Sequence, residues 1–228
     1  TLEIIKNHIP IEIKKISSNT EVFDWYVPLE WHIKDAYVED SMGFKIIDFK
    51  KNNLHLVSFS TPVNKIISKN ELLNHLNTLP KKKKLIPYVT SYYKKRWGFC
   101  STEIFKRKLI KDYRNNDKFK VRVDSEFKKK GNLVYGEYII PGKSKKEILI
   151  STYICHPSMA NNELSGPIVS MSLINYFKRK KNQKTLRFIF IPETIGSICF
   201  LHKNLEFLKK YCIGGFNLTC IGDEKSYS

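Results

Sequence analysis

Four side chains in this sequence have the types and spacing to do chemistry together: His156, Asn162, Glu163 and Glu193. The first three lie in STYICHPSMANNELSGP (151–167), where a run of β-formers gives out at a histidine and an Asn-rich turn follows. Glu193 comes directly after a second apolar run, LRFIFIP (186–192). Zinc takes neutral imidazole and oxygen ligands, and a catalytic zinc keeps one position open for water. A neighbouring carboxylate then accepts the proton as that water attacks a carbonyl, a role for which Glu193 is the natural candidate. Plainer readings stand beside this one. A histidine at a strand end can be an ordinary hydrogen-bonded loop residue. Glu193 can simply cap a helix beginning near Ser197, since an acid is favoured at a helix N-terminus. Asp223, after a third apolar run, reads equally as a turn residue or a site residue.

The elements that must position these groups are legible from periodicity. EILISTYIC (147–155) is a continuous β-branched run of the kind that suits a strand buried on both faces. LRFIFIP reads as a second such strand and GGFNLTCIG (214–222) as a third. Between the first two, Val169, Leu173 and Phe177 form a helical stripe, with the start placed at Ser165 or Gly166 ahead of Pro167. Leu201, Leu205 and Leu208 mark a second helix. Strand, helix, strand, helix, strand predicts an α/β fold with a doubly wound, mostly parallel sheet. Ligands gather beyond the carboxyl ends of such strands, where His156, Glu193 and Asp223 all fall.

Residues 41–142 have a different texture. FKIIDF, LHLVSFSTPV, KFKVRVD and NLVYGEYIIPG are short, partly alternating segments divided by Asn, Gly and Pro, a pattern of antiparallel β structure. They are assigned to a β-rich insertion, with NELLNHLNTLP as one short helix. Residues 1–40 and 143–228 are assigned to the α/β body, and FDWYVPLEW to its core.

The formal charge of +18 would attract polyanions. Its lysines fall in short runs (KKKK at 81–84, KRKLIK from 106, KRKKNQK from 178) beside turns or helix ends. With no zinc-finger spacing and no RNP-like aromatic motif, these read as solvated surface, a polyanion site being the alternative. Five widely spaced cysteines without a CxxC pair suit reduced thiols, and Cys155, Cys199 and Cys220 sit in apolar runs that predict burial. No apolar stretch approaches the length of a membrane span and the start lacks a secretory layout, so a cytoplasmic protein is expected.

TYICHPSMANNELSGP, IPETIGSI, FDWYVPLEWHIKDAYV, LHLVSFSTPV, HLNTLP, IPYVTSYYKKRWGFC and YGEYIIPG together resemble the bacterial aminopeptidase-like family that carries an inserted β-rich domain of unknown function. Members are associated with surface-polysaccharide gene clusters and are similar to zinc aminopeptidases of the leucyl aminopeptidase and glutamate carboxypeptidase type. The resemblance implies further α/β body and a C-terminal winged helix, so this chain is expected to be truncated. The wider zinc group reads His-x-Asp, Asp-x-x-Ser-Gly, Glu-Glu, an Asp after the next strand, and a distant His. On that pattern His156 matches the first ligand and Glu193 the general base. Asn162 takes the place of the metal-bridging Asp, Ser158 that of the Asp orienting the His, Thr194 that of the second Glu, and Thr219 that of the next Asp. The distant His would lie beyond Ser228.

The expectation is therefore a zinc-dependent aminopeptidase-like hydrolase of an amide bond, holding one zinc ion through His156 with an oxygen from Asn162 or Glu163, and with Glu193 as base. The expected substrate is a small peptide or an aminoacyl or acylamino sugar. No membrane span or nucleic-acid partner is expected, and a homo-oligomer is compatible. The rival is a peptidase scaffold that has lost catalysis and binds an anionic glycan or nucleic acid.

Overall fold

A computed structural model describes residues 1–92 and 94–224. In chain order the elements are α1 (Leu2–His8), β1 (Glu12–Ser17), β2 (Glu21–Val22), β3 (Trp25–Tyr26), β4 (Glu30–Glu39), β5 (Lys45–Asp48), β6 (Val63–Ser68), α2 (Lys69–Asn74), β7 (Leu76–Asn77), β8 (Phe99–Cys100) and α3 (Glu103–Asp112). Then follow β9 (Lys118–Lys128), β10 (Asn132–Ile140), β11 (Ser144–Tyr153), α4 (Ala160–Phe177), β12 (Lys184–Ile191), α5 (Ile195–Tyr211) and β13 (Cys212–Asn217). They form two compact units, Thr1–Glu30 with Lys129–Ser228, and Trp31–Lys128.

The first unit is built on a five-stranded sheet in the order β1-β10-β12-β11-β13. The three strands read from their apolar runs are present as β12, β11 and β13 and are parallel, although the third ends at Asn217, five residues short of the run read for it. β10 and β1 extend the sheet antiparallel, which makes it mixed. NLVYGEYIIPG, grouped above with the inserted strands, is β10 and belongs to this sheet, paired with β12 from Gly136↔Phe190 to Ile140↔Leu186. Alternation shows that a strand has one covered face. It carries no information about which sheet the strand joins.

The sheet is covered on both sides, as near-continuous apolar strands require. Leu186, Phe188 and Phe190 of β12 pack with Ile5 of α1 and Ile174 of α4. Ile189 and Ile191, pointing the opposite way, pack with Phe200 and Leu208 of α5. One charged position breaks the run: Arg187 lies in β12 between Glu147 (2.9 Å) and Glu137, which also pairs with Lys14. Buried charges persist only when paired in this way. At the outer edge, β13 pairs with β11 alone among the described strands, and its Ile213 and Phe216 are exposed.

Helix α4 begins at Ala160, five residues before the predicted start, so Pro167 sits inside it. Proline cannot donate to the carbonyl four residues back, but the helix does not depend on that bond alone. Gly166, Pro167, Ser170 and Ile174 form a buried face. Gly166 is placed so that a Cβ there would collide with the Leu218 carbonyl and the Thr152 hydroxyl. The helix lies that close to β11 and to the loop after β13.

The second unit has a four-stranded sheet, β5-β4-β9-β6, antiparallel where β5 meets β4 and where β6 meets β9. Its core includes Val38, Ile67, Leu72, Phe99 and Phe119. Lys69 is buried because its ammonium donates to the Ile110 and Tyr113 carbonyls at the end of α3, the pole of a helix that favours a cation. The NELLNHLNTLP helix is present as α2, and Lys81–Lys84 are exposed. No helix among the described residues is long and apolar enough to cross a membrane.

Candidate functional site

The carboxyl ends of β12, β11 and β13 lie side by side, so the loops that follow them share one edge of the sheet. His156 comes from the loop after β11, and Asn162 and Glu163 from the first turn of α4. Glu193 comes from the sharp turn between β12 and α5. That turn is strained, because β-branched Thr194 has φ 56°, a region β-branched residues rarely enter. Thr194 is the N-cap of α5 and makes no side-chain cap bond.

Glu193 reaches the imidazole: its Oε2 lies 3.3 Å from His156 Nε2. On the other side of the ring, Nδ1 is 2.7 Å from Glu163 Oε1 and 3.2 Å from Asn162 Oδ1. The second Glu163 oxygen accepts the Cys155 amide N–H at 2.6 Å. The Glu163 side chain is 8% exposed, against 49% for Glu193. One oxygen cluster is therefore built into the fold, and the other faces solvent.

A hydroxyl network supports this group from below. Asn162 Nδ2 donates to the Tyr153 hydroxyl at 2.8 Å, and the Thr219 hydroxyl donates to the same oxygen. Desolvation raises the Tyr153 phenol above its usual value, so it stays neutral at physiological pH. Its ring stands edge-on to His156, with centroids 5.8 Å apart. Ser158, in the His156 loop, has φ 58°.

Asp223 makes a tie of its own. It accepts from Asn161 Nδ2 at 2.9 Å, while Asn161 Oδ1 accepts the Gly222 N–H at 2.7 Å, so the pair ties the loop after β13 to the start of α4.

Cys155 corrects an expectation. Read as buried within an apolar run, it is exposed, and Cys220 is half-buried; only Cys199 of the three is buried. The reason is local: β11 ends at Tyr153, so Cys155 lies past the covered part of the sheet. Its sulfur accepts the Glu193 N–H at 3.3 Å, and Cys155, His156 and Glu163 present donor atoms all within 4.8 Å of one another. Although the residue is exposed, desolvation of the thiol pushes it up to about 12; the Glu193 amide opposes this, and the Glu163 and Glu193 carboxylates add to it. Sequence reasoning missed Tyr153, Cys155 and Asn161 as members of this edge. The signal for Tyr153 was its place three residues before His156, at the strand end.

Comparison with known proteins agrees with this architecture. The whole chain, residues 1–228, matches the family described as Domain of unknown function (DUF4910). It is 47% identical over 223 residues to a Clostridium acetobutylicum protein that carries the provisional name of polysaccharide biosynthesis protein with aminopeptidase-like domain. That match takes in 98% of this chain and 50% of the relative, so the chain spans about half the relative's length. A crystal structure of a protein from Clostridium acetobutylicum, provisionally described as a peptidase, superposes with a TM-score of 0.91 at 47% identity, over 98% of this chain and 51% of that one. A zinc aminopeptidase from Bacillus subtilis has the same fold at a TM-score of 0.62 and 12% identity, over 96% of this chain and 62% of that one.

Proposed function

This chain belongs to the DUF4910 family, and from that premise we propose that its aminopeptidase-type body is a metal-dependent hydrolase of amide bonds. The observation that carries the reading is the meeting of His156 Nε2 and Glu193 Oε2, 3.3 Å apart, beyond the ends of two adjacent parallel strands.

The donor chemistry fits one divalent cation and not two. One imidazole and the carboxylates of Glu163 and Glu193 balance a single doubly charged ion. Asn162, Thr194 and Thr219 are neutral and give no carboxylate to offset the repulsion of a second. His156 would hold zinc, with oxygen drawn from the Asn162–Glu163 pair beside its ring. Zinc bound there supplies Lewis-acid polarisation of the scissile carbonyl.

Glu193 does the proton work. Half exposed and facing the site, it takes a proton from the attacking water as the new C–O bond forms. It then returns that proton to the departing amine nitrogen as the C–N bond breaks. Tyr153, Asn162 and Thr219 hold the floor on which His156 sits. Given the provisional name of the Clostridium relative, the substrate class we propose is an aminoacyl or acylamino sugar, with small peptides as the simpler case.

The test is metal analysis joined to turnover of amino-acid amides and acylamino sugars by the protein at full length. Zinc-restorable hydrolysis is expected. A metal-stripped preparation whose turnover zinc does not restore refutes the reading. The three neutral replacements favour a second reading, a binding module for anionic glycans on the same scaffold. Under it, Glu193→Gln leaves function unchanged.

A further inference from the structure

We propose that the Trp31–Lys128 unit carries a docking surface for an anionic phospholipid bilayer, formed by the loop of residues 79–85 and the exposed face of α3. The proposal goes beyond the hydrolase reading and does not depend on it.

The loop reads LPKKKKL, and two successive turns curl its backbone: the Lys82 N–H donates to the Leu79 carbonyl and the Leu85 N–H to the Lys82 carbonyl, each at 3.0 Å. It is held against the start of α3, where the Ile104 N–H donates to the Lys83 carbonyl at 3.3 Å and the Thr78 hydroxyl to Glu103 at 2.7 Å. On α3, Leu109 is buried and Phe105 packs on the core. Ile104, Lys108 and Lys111, at i, i+4 and i+7, share a different and exposed face. Lysines 81–84 are exposed as well. Between Leu79 and Lys111 the sequence holds one acid, Glu103. Thr78 and Arg107 (3.0 Å) both engage it, so nothing within this stretch neutralises the four lysines.

Charge alone would suit any polyanion; the apolar side chains decide the partner. Leu79 and Leu85 flank the lysine run and Ile104 is tied to it through the backbone, yet they are 37%, 52% and 51% exposed. A single exposed leucine needs no explanation, but here three aliphatic groups gather around one cationic run. Proteins grip nucleic acid by stacking its bases on aromatic rings, and the ring of α3, Phe105, packs on the core instead. A soluble acidic glycan needs the cations and gains nothing from exposed aliphatic groups. A bilayer uses both. Its anionic headgroups attract lysine, and aliphatic side chains enter the boundary between headgroups and acyl chains. Pro80 and Pro87 bracket the loop and restrict its backbone, so less freedom is lost on docking.

The test is co-sedimentation of the full-length protein with vesicles of phosphatidylcholine alone and of phosphatidylcholine with about one-third phosphatidylglycerol. Binding to the anionic vesicles and not to the neutral ones is expected, weakening as salt rises. Failure to bind the anionic vesicles overturns the proposal, and this measurement needs no variant to fold. If heparin or polyuridylate binds where those vesicles do not, the partner is a soluble polyanion. Replacing Lys81, Lys82, Lys83 and Lys84 together by Gln should weaken vesicle binding about 100-fold or more, since each lysine near such a surface is worth about fivefold. Leu85→Ser combined with Ile104→Ser should weaken it about tenfold with the salt dependence retained. Far-ultraviolet dichroism checks the fold of both variants. Unchanged binding by the lysine variant would place the contact elsewhere, and unchanged binding by the Leu85–Ile104 variant would reduce it to bare charge; either result overturns the proposal.

Discussion

Replacing Gly166 by Ala adds one methyl group at the point where α4 lies closest to the strands that carry the site. In a helix interior the exchange ordinarily stabilises by about 1 kcal/mol, because alanine is the better helix former. Here the methyl carbon has no room. It would fall on the Leu218 carbonyl and the Thr152 hydroxyl, which are themselves hydrogen-bonded at 3.1 Å. One obstacle is backbone, so relief requires the loop after β13 to move or the helix to lift. Overpacking of this kind costs about 1–3 kcal/mol, and separating the Thr152–Leu218 bond adds about 1 kcal/mol. The clash outweighs the helix gain, leaving a net loss of about 1–3 kcal/mol. For a chain of this size that lowers the melting temperature by roughly 2–12 °C. Thermal unfolding followed by circular dichroism reads the effect directly. The displaced loop also carries Thr219, which braces Tyr153, so hydrolytic turnover should fall further than the lost stability explains. A Gly166→Ala protein at least as stable as the wild type would refute the close approach of α4 to that loop.

Glu193→Gln should reduce amide turnover by about 10²–10⁴-fold while the fold is retained, the range spanned by loss of a general base; steady-state kinetics with a dichroism control measures it. Glu147→Ala removes the carboxylate that meets Arg187 at both Nε and Nη2, leaving buried donors unpaired at a cost of about 3–5 kcal/mol, to be read from denaturant unfolding. Because the Cys155 thiol is pushed up to about 12, its thiolate is scarce at pH 8. Alkylation there in the metal-free protein should be more than about tenfold slower than for a free thiol, despite exposure, and should accelerate as the pH rises toward that value. Mass spectrometry of iodoacetamide-treated protein gives the rate.

The parallel half of the sheet was legible because β11 and β12 are buried on both faces, which forces continuous apolar runs that no surface strand can mimic. The edge of the sheet where His156 and Glu193 sit was legible for the same reason, since it lies where those runs stop. β10 escaped because its alternating pattern specifies one covered face and not a neighbour. The start of α4 escaped because Pro167 carries the signature of a first helical residue, and only burial against the sheet lets the helix extend seven residues before it. That error left Glu163, already named as a candidate oxygen ligand, without its setting: read in a turn it is one of several polar residues, whereas in the first turn of a buried helix it is held beside the imidazole. The link between Asn161 and Asp223 spans two segments far apart in sequence, and local pattern contains nothing of it.

The outer strand β13 bears on how this chain behaves at high concentration. One side of it pairs with β11, no other strand among the described residues pairs with it, and its exposed Ile213 and Phe216 make that margin greasy. Sheet proteins usually blunt such a margin with lysine, proline or a covering helix. Gly214 and Gly215 do none of these, so this margin is where a foreign strand would seed, and the first place to introduce a lysine when the protein must stay dispersed.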